Sequence, residues 1–84
     1  MYYVYILKSK KDGKLYTGCT GNLKKRVNEH ADGTVRSTCY RLPLELVYYE
    51  ASRNRIDALR REKYLKTTYG KRYLKLRLKS DFAV

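Results

Sequence analysis

The N-terminal segment alternates between two faces in the manner of a β-strand. Over residues 2–8, even-numbered and odd-numbered side chains point to opposite faces. A Lys-Lys-Asp-Gly turn sequence follows, in which Gly13 is free to adopt a positive φ, and a second alternating segment comes after it. We therefore predict a β-hairpin. Either a two-residue or a four-residue loop places Tyr5, Tyr16 and Gly18 on one face, and the four-residue loop sets Tyr5 opposite Gly18.

A helix is predicted after the hairpin. Asn22 is a suitable N-cap residue, residues 23–31 follow the helical period, and Gly33 is placed to end the helix. The apolar side chains that we expect to face inward are Leu23, Val27 and Ala31. The side chains that we expect to face solvent are Lys24, Lys25, Asn28 and Glu29.

The second half of the chain predicts one strand and two helical segments. Residues 44–50 alternate but carry apolar side chains on both faces, so we expect this strand to pack between layers. A helix begins at Ser52 or Asn54 and continues to Gly70, which ends it. Residues 71–79 form a third, strongly basic helical segment.

These elements define the expected architecture. A loop over residues 32–43 separates the first helix from the third strand, and residues 80–84 form a tail that we expect to fray. The order is β-β-α-β-α-α. The fold class is α/β (α+β), with a small three-stranded, mainly antiparallel sheet flanked by helices. Residues 1–84 are expected to form a single domain.

The charge of the chain points to a polyanionic partner. Twenty Lys and Arg residues face eight acidic ones, which gives a formal net charge of +12. Nucleic acid is the leading candidate, because no basic segment carries the strongly apolar opposite face that membrane binding requires. We expect no signal peptide or membrane span. Cys19 and Cys39 lack metal-site spacing, so we expect free thiols and a cytoplasmic location.

Three polar residues fall on helix faces that are otherwise apolar. Arg26 and His30 share the inward stripe of the first helix. Glu62 lies on the inward stripe of the second helix and requires a cation, which would be either Arg26 or a divalent metal ion. Beside the hairpin tyrosines Tyr5 and Tyr16, these residues indicate a catalytic site. The alternative is ordinary strand aromatics and a structural histidine.

Further residues are candidates for contact with nucleic acid. A glycine between two tyrosines leaves room for a substrate to approach the backbone, and basic side chains near the site could bind phosphates. The candidates are Gly18, Lys24, Lys25, Arg36, Arg61 and Lys66. A solvated basic surface is the alternative explanation for the charged members of this group.

Five features, taken together and in order, resemble the GIY-YIG nuclease superfamily, specifically its small stand-alone bacterial members. They are the Tyr-Val-Tyr sequence at 3–5, the Tyr-Thr-Gly sequence at 16–18, Arg26, His30, and the segment 59–63 that contains Glu62. Two positions depart from the usual motifs. Tyr3 stands where many members have glycine, and Thr17 stands where isoleucine or valine is usual.

The resemblance implies a metal-dependent endonuclease that acts in repair or nucleic-acid processing, on DNA in preference to RNA. It implies that Glu62 binds a single divalent ion, Mg²⁺ or Mn²⁺, and that Arg26 contacts the scissile phosphate. Tyr5 or Tyr16 would act as general base, and His30 would accept the proton from that tyrosine or orient it.

Two other functions are compatible with the composition. A non-catalytic nucleic-acid-binding protein, for RNA or DNA, would explain the charge equally well through basic helices and stacking tyrosines. It would not explain why Arg26, His30 and Glu62 face inward near two tyrosines. A ribosome-associated structural protein rests on charge and size alone.

Overall fold

A three-stranded antiparallel sheet forms the centre of the protein, which we describe from a computed structural model covering residues 1–82. The strands lie in the order β2-β1-β3. They are β1 (Tyr2–Ser9), β2 (Leu15–Thr20) and β3 (Leu44–Ser52). The helices are α1 (Leu23–Ala31), α2 (Arg55–Leu65), α3 (Thr68–Arg77) and α4 (Lys79–Phe82). The predicted fold class and element order are confirmed, with α4 as an addition.

The hairpin adopts the register of the four-residue loop. Tyr5 pairs with Gly18 across β1 and β2. Ser9 N donates to Lys14 O at 2.9 Å and closes the loop, while Gly13 N donates to Ser9 O at 2.8 Å. Gly13 has a φ of +73°, as its place in the turn required.

The buried strand is β1 and not β3. Both neighbours pair with β1, and four consecutive β1 residues, from Val4 to Leu7, have at most 1% of their surface exposed. The prediction for β3 is correct in that α1 and α2 contact it, and wrong in that we did not expect a solvent-exposed edge. This strand lies at the edge of the sheet, and the apolar side chains on both of its faces include Leu46 and Tyr49, which are 37% and 52% exposed.

Helix α1 follows the prediction closely. Asn22 caps it by accepting a hydrogen bond from Lys25 N at 3.1 Å. Gly33 follows the C-terminal end of the helix and adopts a φ of +76° in the turn there. His30 is the buried residue of the helix, whereas Ala31, which we expected to face inward, is exposed. The buried stripe is therefore narrower than the apolar pattern indicated.

The second predicted helix is divided into two. Asn54 is its N-cap, as expected, but α2 ends at Leu65, and Thr67 caps a new helix by accepting from Gly70 N at 3.2 Å. Gly70 therefore lies in the first turn of α3 and does not end a helix. The tail that we expected to fray forms α4 over Lys79–Phe82, and residues 83–84 lie outside the described residues.

Gly70 is required by the close packing of α3 on the end of α2. A Cβ atom at this position would overlap Tyr64 O and Leu65 Cα, and backbone atoms cannot move aside as a flexible side chain does. We expect Gly70→Ala to lower the free energy of unfolding by about 3 kcal/mol, the upper part of the usual range for overpacking.

Urea denaturation of the Gly70→Ala variant measures this loss. Gly21→Ala is the matched control, because its Cβ would meet only ordinary contacts with the Tyr2 ring at 3.7 Å or more. An unchanged stability for Gly70→Ala would contradict the assigned packing.

The helices cover opposite faces of the sheet. Val4 and Ile6 pack against Ala58 and Leu65 of α2 and Leu74 of α3 in the hydrophobic core. The other face of β1 carries Tyr5, whose hydroxyl reaches His30 of α1. Within residues 1–82, no helix is both long enough and apolar enough to cross a membrane.

Candidate active site

Tyr5, Tyr16 and His30 form a compact aromatic cluster on the α1 side of the sheet. The Tyr5 hydroxyl lies 2.9 Å from His30 Nε2. The His30 ring centre is 5.6 Å from that of Tyr5 and 5.2 Å from that of Tyr16, and the two tyrosine ring centres are 6.4 Å apart. The alternation of β1 and β2 and the inward stripe of α1 therefore bring together the three residues that the sequence predicted.

Thr38 completes the cluster and was not predicted from the sequence. His30 Nδ1 lies 2.7 Å from Thr38 Oγ1, and Thr38 is fully buried. It comes from the loop between α1 and β3, which folds back over the site and also buries Val35. A threonine in a segment without periodicity carries no signal that would mark it as buried.

Gly18 makes room for the Tyr5 ring. A Cβ atom at position 18 would overlap Tyr5 Cζ and Oη, because the phenol lies directly over the glycine on the neighbouring strand. Gly18 is itself buried. The prediction that Gly18 leaves space for nucleic acid is therefore corrected: Tyr5 occupies that space, and Gly18 fixes where its hydroxyl lies.

Arg26 lies at the opening of the cluster. Its side chain is 38% exposed, and Nη1 forms an ion pair with Glu29 Oε1 at 3.3 Å, one turn further along α1. The guanidinium also interacts with the Tyr5 hydroxyl, which raises the pKa of Arg26. Glu29, expected to face solvent, is the carboxylate partner of Arg26, and Glu62 is not.

The cluster shifts the pKa values of its own groups in opposite directions. Burial raises the pKa of Tyr5, and the hydrogen bond and positive charge of Arg26 only partly oppose this rise. Burial and then the charge of Arg26 lower the pKa of His30, while Glu29 opposes them. His30 is therefore neutral at neutral pH, and Tyr5 is a protonated phenol before substrate binds.

Glu62 approaches the site from α2. Its side chain is 21% exposed and forms an ion pair with Lys66 Nζ at 3.3 Å, one turn further along the chain. Its negative charge contributes to the raised pKa of Tyr5 and, after burial, to that of Cys19. Glu62 therefore lies within electrostatic reach of the Tyr5 phenol, although it belongs to the helix on the other face of the sheet.

Glu62 is the one carboxylate that the sequence offers as a ligand for a divalent ion. No group of three His, Cys, Asp or Glu side chains that could enclose a metal exists within residues 1–82. A single carboxylate fits Mg²⁺ or Mn²⁺, which retain water ligands and accept phosphate oxygens from a substrate. Cys19 and Cys39 are free thiols, as predicted.

The basic residues predicted to contact nucleic acid differ in their surroundings. Lys24, Lys25 and Arg36 are exposed. Arg61 is instead bound within the protein: its Nε and Nη2 donate to Glu50 Oε1 and Oε2 at 2.9 and 3.1 Å. The guanidinium also lies 4.8 Å from the Tyr73 ring centre. This bidentate pair engages Nε and one hydrogen of Nη2, so contact of Arg61 with a phosphate stays a prediction that depends on its remaining donors.

A pocket beside β2, which we call the β2 pocket, adjoins the site at Tyr16. Its volume is about 470 Å³. Apolar side chains of Leu15, Leu65, Leu74 and Phe82 line it, and its basic residues are Lys14, Lys66, Lys71 and Lys75. Lys66 links this pocket to Glu62, with which it pairs. The pocket lies on the α2 and α3 side of β2, and Tyr16 is the member of the cluster that also lines it.

Comparison with known proteins identifies the class to which this fold and cluster belong. The GIY-YIG catalytic domain family matches residues 1–75, which include every residue of the cluster and Glu62. The chain therefore belongs to the GIY-YIG nuclease family.

The similar curated proteins are small and cover similar lengths. A UPF0213 protein of Clostridium perfringens is 49% identical over 67 residues, which are 79% of this chain and 71% of that protein. A UPF0213 protein of Staphylococcus saprophyticus is 41% identical over 76 residues, 89% of this chain and 92% of that protein. One from Streptococcus agalactiae is 42% identical over 65 residues, 76% of this chain and 73% of that protein. No solved structure matches the chain.

Proposed function

We propose that the protein is a divalent-metal-dependent endonuclease that hydrolyses phosphodiester bonds in nucleic acid, with DNA as the preferred substrate. The observation that carries this proposal is the convergence of Tyr5, Tyr16, His30 and Arg26, with Glu62 in electrostatic reach. Family membership supports it. We assign the activity to repair or nucleic-acid processing in the cytoplasm.

Arg26 is the residue best placed to bind the scissile phosphate. Its guanidinium is partly exposed at the opening of the cluster, and its interactions hold it beside Tyr5. A guanidinium offers two parallel donors to phosphate oxygens and stabilises the negative charge that develops during hydrolysis. Glu29 keeps this side chain oriented before substrate arrives.

Tyr5 is the proposed general base, and Tyr16 is assigned to orient the water or the phosphate. Within the described residues, the Tyr5 hydroxyl lies beside both His30 and Arg26, and the Tyr16 hydroxyl does not. Burial raises the pKa of Tyr5, so the phenol requires additional positive charge to act as a base near neutral pH. Arg26 supplies part of that charge, and the substrate complex must supply the rest.

Glu62 is the residue that would hold the divalent ion. Its carboxylate is partly exposed, and its pairing partner Lys66 is 57% exposed and free to move aside. Lewis-acid stabilisation of the departing oxygen is the chemistry that such an ion supplies. With one protein ligand, metal affinity is expected to be weak until a substrate phosphate shares the ion.

The flanking nucleotides are proposed to lie along the β2 pocket. If its four lysines each contact a phosphate, log K should fall with log salt concentration with a slope of about −3 to −4. We expect Lys71→Gln/Lys75→Gln to reduce this slope by about two, because each lysine releases roughly one counterion. Fluorescence anisotropy with labelled oligonucleotides measures the slope.

Lys10→Gln is the control for the lysine variants, since Lys10 pairs with Glu45 of β3 at the opposite edge of the sheet. It should leave the slope nearly unchanged. If Lys10→Gln reduced the slope as much as Lys71→Gln/Lys75→Gln does, the lysines would act through overall charge and not by contacting a strand along the β2 pocket.

The direct test of the proposed function is incubation of the protein with single-stranded, duplex and branched DNA and with RNA, with and without Mg²⁺ or Mn²⁺. Cleavage that requires the ion is the expected result. Salt-dependent binding without cleavage of any substrate would support a non-catalytic nucleic-acid-binding protein instead. The exposed Tyr40 and Tyr69, at 82% and 69%, offer stacking surfaces for that role.

A further inference from the structure

A chain of hydrogen-bonding groups runs from the loop after α1 to the Tyr5 hydroxyl. Thr38 Oγ1 lies 2.7 Å from His30 Nδ1, and His30 Nε2 lies 2.9 Å from the Tyr5 hydroxyl. Thr38 has none of its surface exposed, and His30 and Tyr5 are each 1% exposed. Thr38 and His30 can therefore exchange hydrogen bonds only with neighbours inside the protein.

These groups carry one hydrogen more than they can share. A threonine hydroxyl, a neutral imidazole and a tyrosine hydroxyl hold one exchangeable hydrogen each, but only two hydrogen bonds join them. In one arrangement, Tyr5 donates to Nε2 and Nδ1 donates to Thr38, whose own hydrogen is left over. In the other, Thr38 donates to Nδ1 and Nε2 donates to Tyr5, whose hydrogen is left over.

The position of the surplus hydrogen decides between the two arrangements. Across residues 1–82, the Thr38 hydroxyl has no hydrogen-bond partner except His30, so a hydrogen left there would be buried without an acceptor. The Tyr5 oxygen instead faces Arg26 at the partly exposed opening of the cluster. A hydrogen left on Tyr5 lies beside that opening, where we expect a water or a phosphate oxygen of the substrate to accept it.

We propose that Thr38 is a positioning residue that holds His30 in the tautomer with its hydrogen on Nε2, so that His30 donates to the Tyr5 oxygen. This assignment is independent of catalysis, and its consequence for the reaction rests on the proposed nuclease function. When Tyr5 passes its proton to a water at the opening of the cluster and becomes a phenolate, the surplus disappears. Thr38 continues to donate to Nδ1, and the Tyr5 oxygen accepts from both His30 Nε2 and Arg26.

Neutral His30 suits this role. Burial and the charge of Arg26 lower its pKa, so that the imidazole keeps one hydrogen and one acceptor nitrogen near neutral pH. His30 therefore stabilises ionised Tyr5 as a hydrogen-bond donor. The resemblance left two roles open for His30: accepting the proton of the tyrosine belongs to the opposite tautomer, and orienting the tyrosine belongs to this one.

The tautomer can be read directly, because the chain contains a single histidine. Long-range ¹H–¹⁵N NMR of the ¹⁵N-labelled protein distinguishes the protonated ring nitrogen from the unprotonated one. We expect the hydrogen on Nε2 and an unprotonated Nδ1. A hydrogen on Nδ1 in the parent protein would overturn the proposal, whether or not the protein cleaves any substrate.

Thr38→Val and Thr38→Ser separate the hydroxyl from the shape of the side chain. Valine removes the donor to Nδ1 at similar volume, so the preference for Nε2–H should weaken in the NMR spectrum, and serine should restore it. We expect kcat of Thr38→Val to fall about ten- to hundred-fold, the scale of losing a residue that orients a reacting group, with KM within about twofold.

Thermal melting confirms that each Thr38 variant is folded. A folded Thr38→Val protein with the parent tautomer and the parent kcat would refute the role of the hydroxyl. If no substrate is cleaved by the parent protein, the nuclease proposal fails while the NMR spectra still decide the tautomer. The two proposals can therefore fail separately.

Discussion

Glu62→Gln is expected to lower metal-dependent cleavage by roughly a thousandfold, the scale of losing a group that stabilises transition-state charge. The amide keeps the shape of the side chain but cannot recruit a divalent ion. Stability should fall by only about 0.5 kcal/mol, because the partner of Glu62 is the half-exposed Lys66, in an i,i+4 pair. Binding to nucleic acid should hold or tighten, since one negative charge is lost from a basic surface.

The control for Glu62→Gln is Asp57→Asn, which removes one carboxylate from the same helix. Asp57 is 66% exposed and lies 3.9 Å from Arg60, away from the cluster. This variant should cleave at the parent rate. Cleavage, oligonucleotide binding and melting temperature are measured on both proteins. A folded Glu62→Gln variant that cleaves as fast as its parent would refute the assignment of Glu62 as metal ligand.

Tyr5→Phe is expected to reduce kcat by about 10²- to 10⁴-fold, the contribution of a positioned general base. The phenyl ring keeps its place over Gly18 and its edge contact with His30. Only the hydroxyl is lost, which leaves His30 Nε2 without its partner and lowers stability by about 1–2 kcal/mol. Single-turnover cleavage at saturating substrate separates the chemical step from binding.

Two further phenylalanine variants make the Tyr5 result specific. Tyr3→Phe removes the same atom from the same face of β1, where Tyr3 packs edge-on against Tyr49, and should leave cleavage unchanged. Tyr16→Phe should reduce kcat less than Tyr5→Phe. Full activity in Tyr5→Phe together with loss of activity in Tyr16→Phe would transfer the role of general base to Tyr16.

The hairpin and α1 were predictable from the sequence because local rules determine them. The period of two fixes which side chains share a face, so Tyr5, Tyr16 and Gly18 could be placed together before the structure was known. The period of 3.6 placed His30 on the buried side of α1. These rules did not predict where the Tyr5 ring lies. It fills the space over Gly18 that we assigned to a substrate.

Other features depend on contacts between distant segments, which periodicity does not encode. β3 is an edge strand because β2 and β3 both pair with β1 and not with each other. The break between α2 and α3 depends on the Thr67 cap and on how closely Gly70 approaches the end of α2. Thr38 enters the cluster only because its loop folds back over His30.

The ion pair between Arg61 and Glu50 sets the rotation of α2 about its own axis. Successive residues of a helix point about 100° apart, so the direction of Arg61 also determines that of Glu62. Because only Ala58 and Leu65 of α2 are buried, its apolar contacts leave this angle loosely defined. The bidentate pair between Arg61 and Glu50 restrains this rotation of the helix. An edge strand thereby fixes the direction in which α2 presents the Glu62 carboxylate.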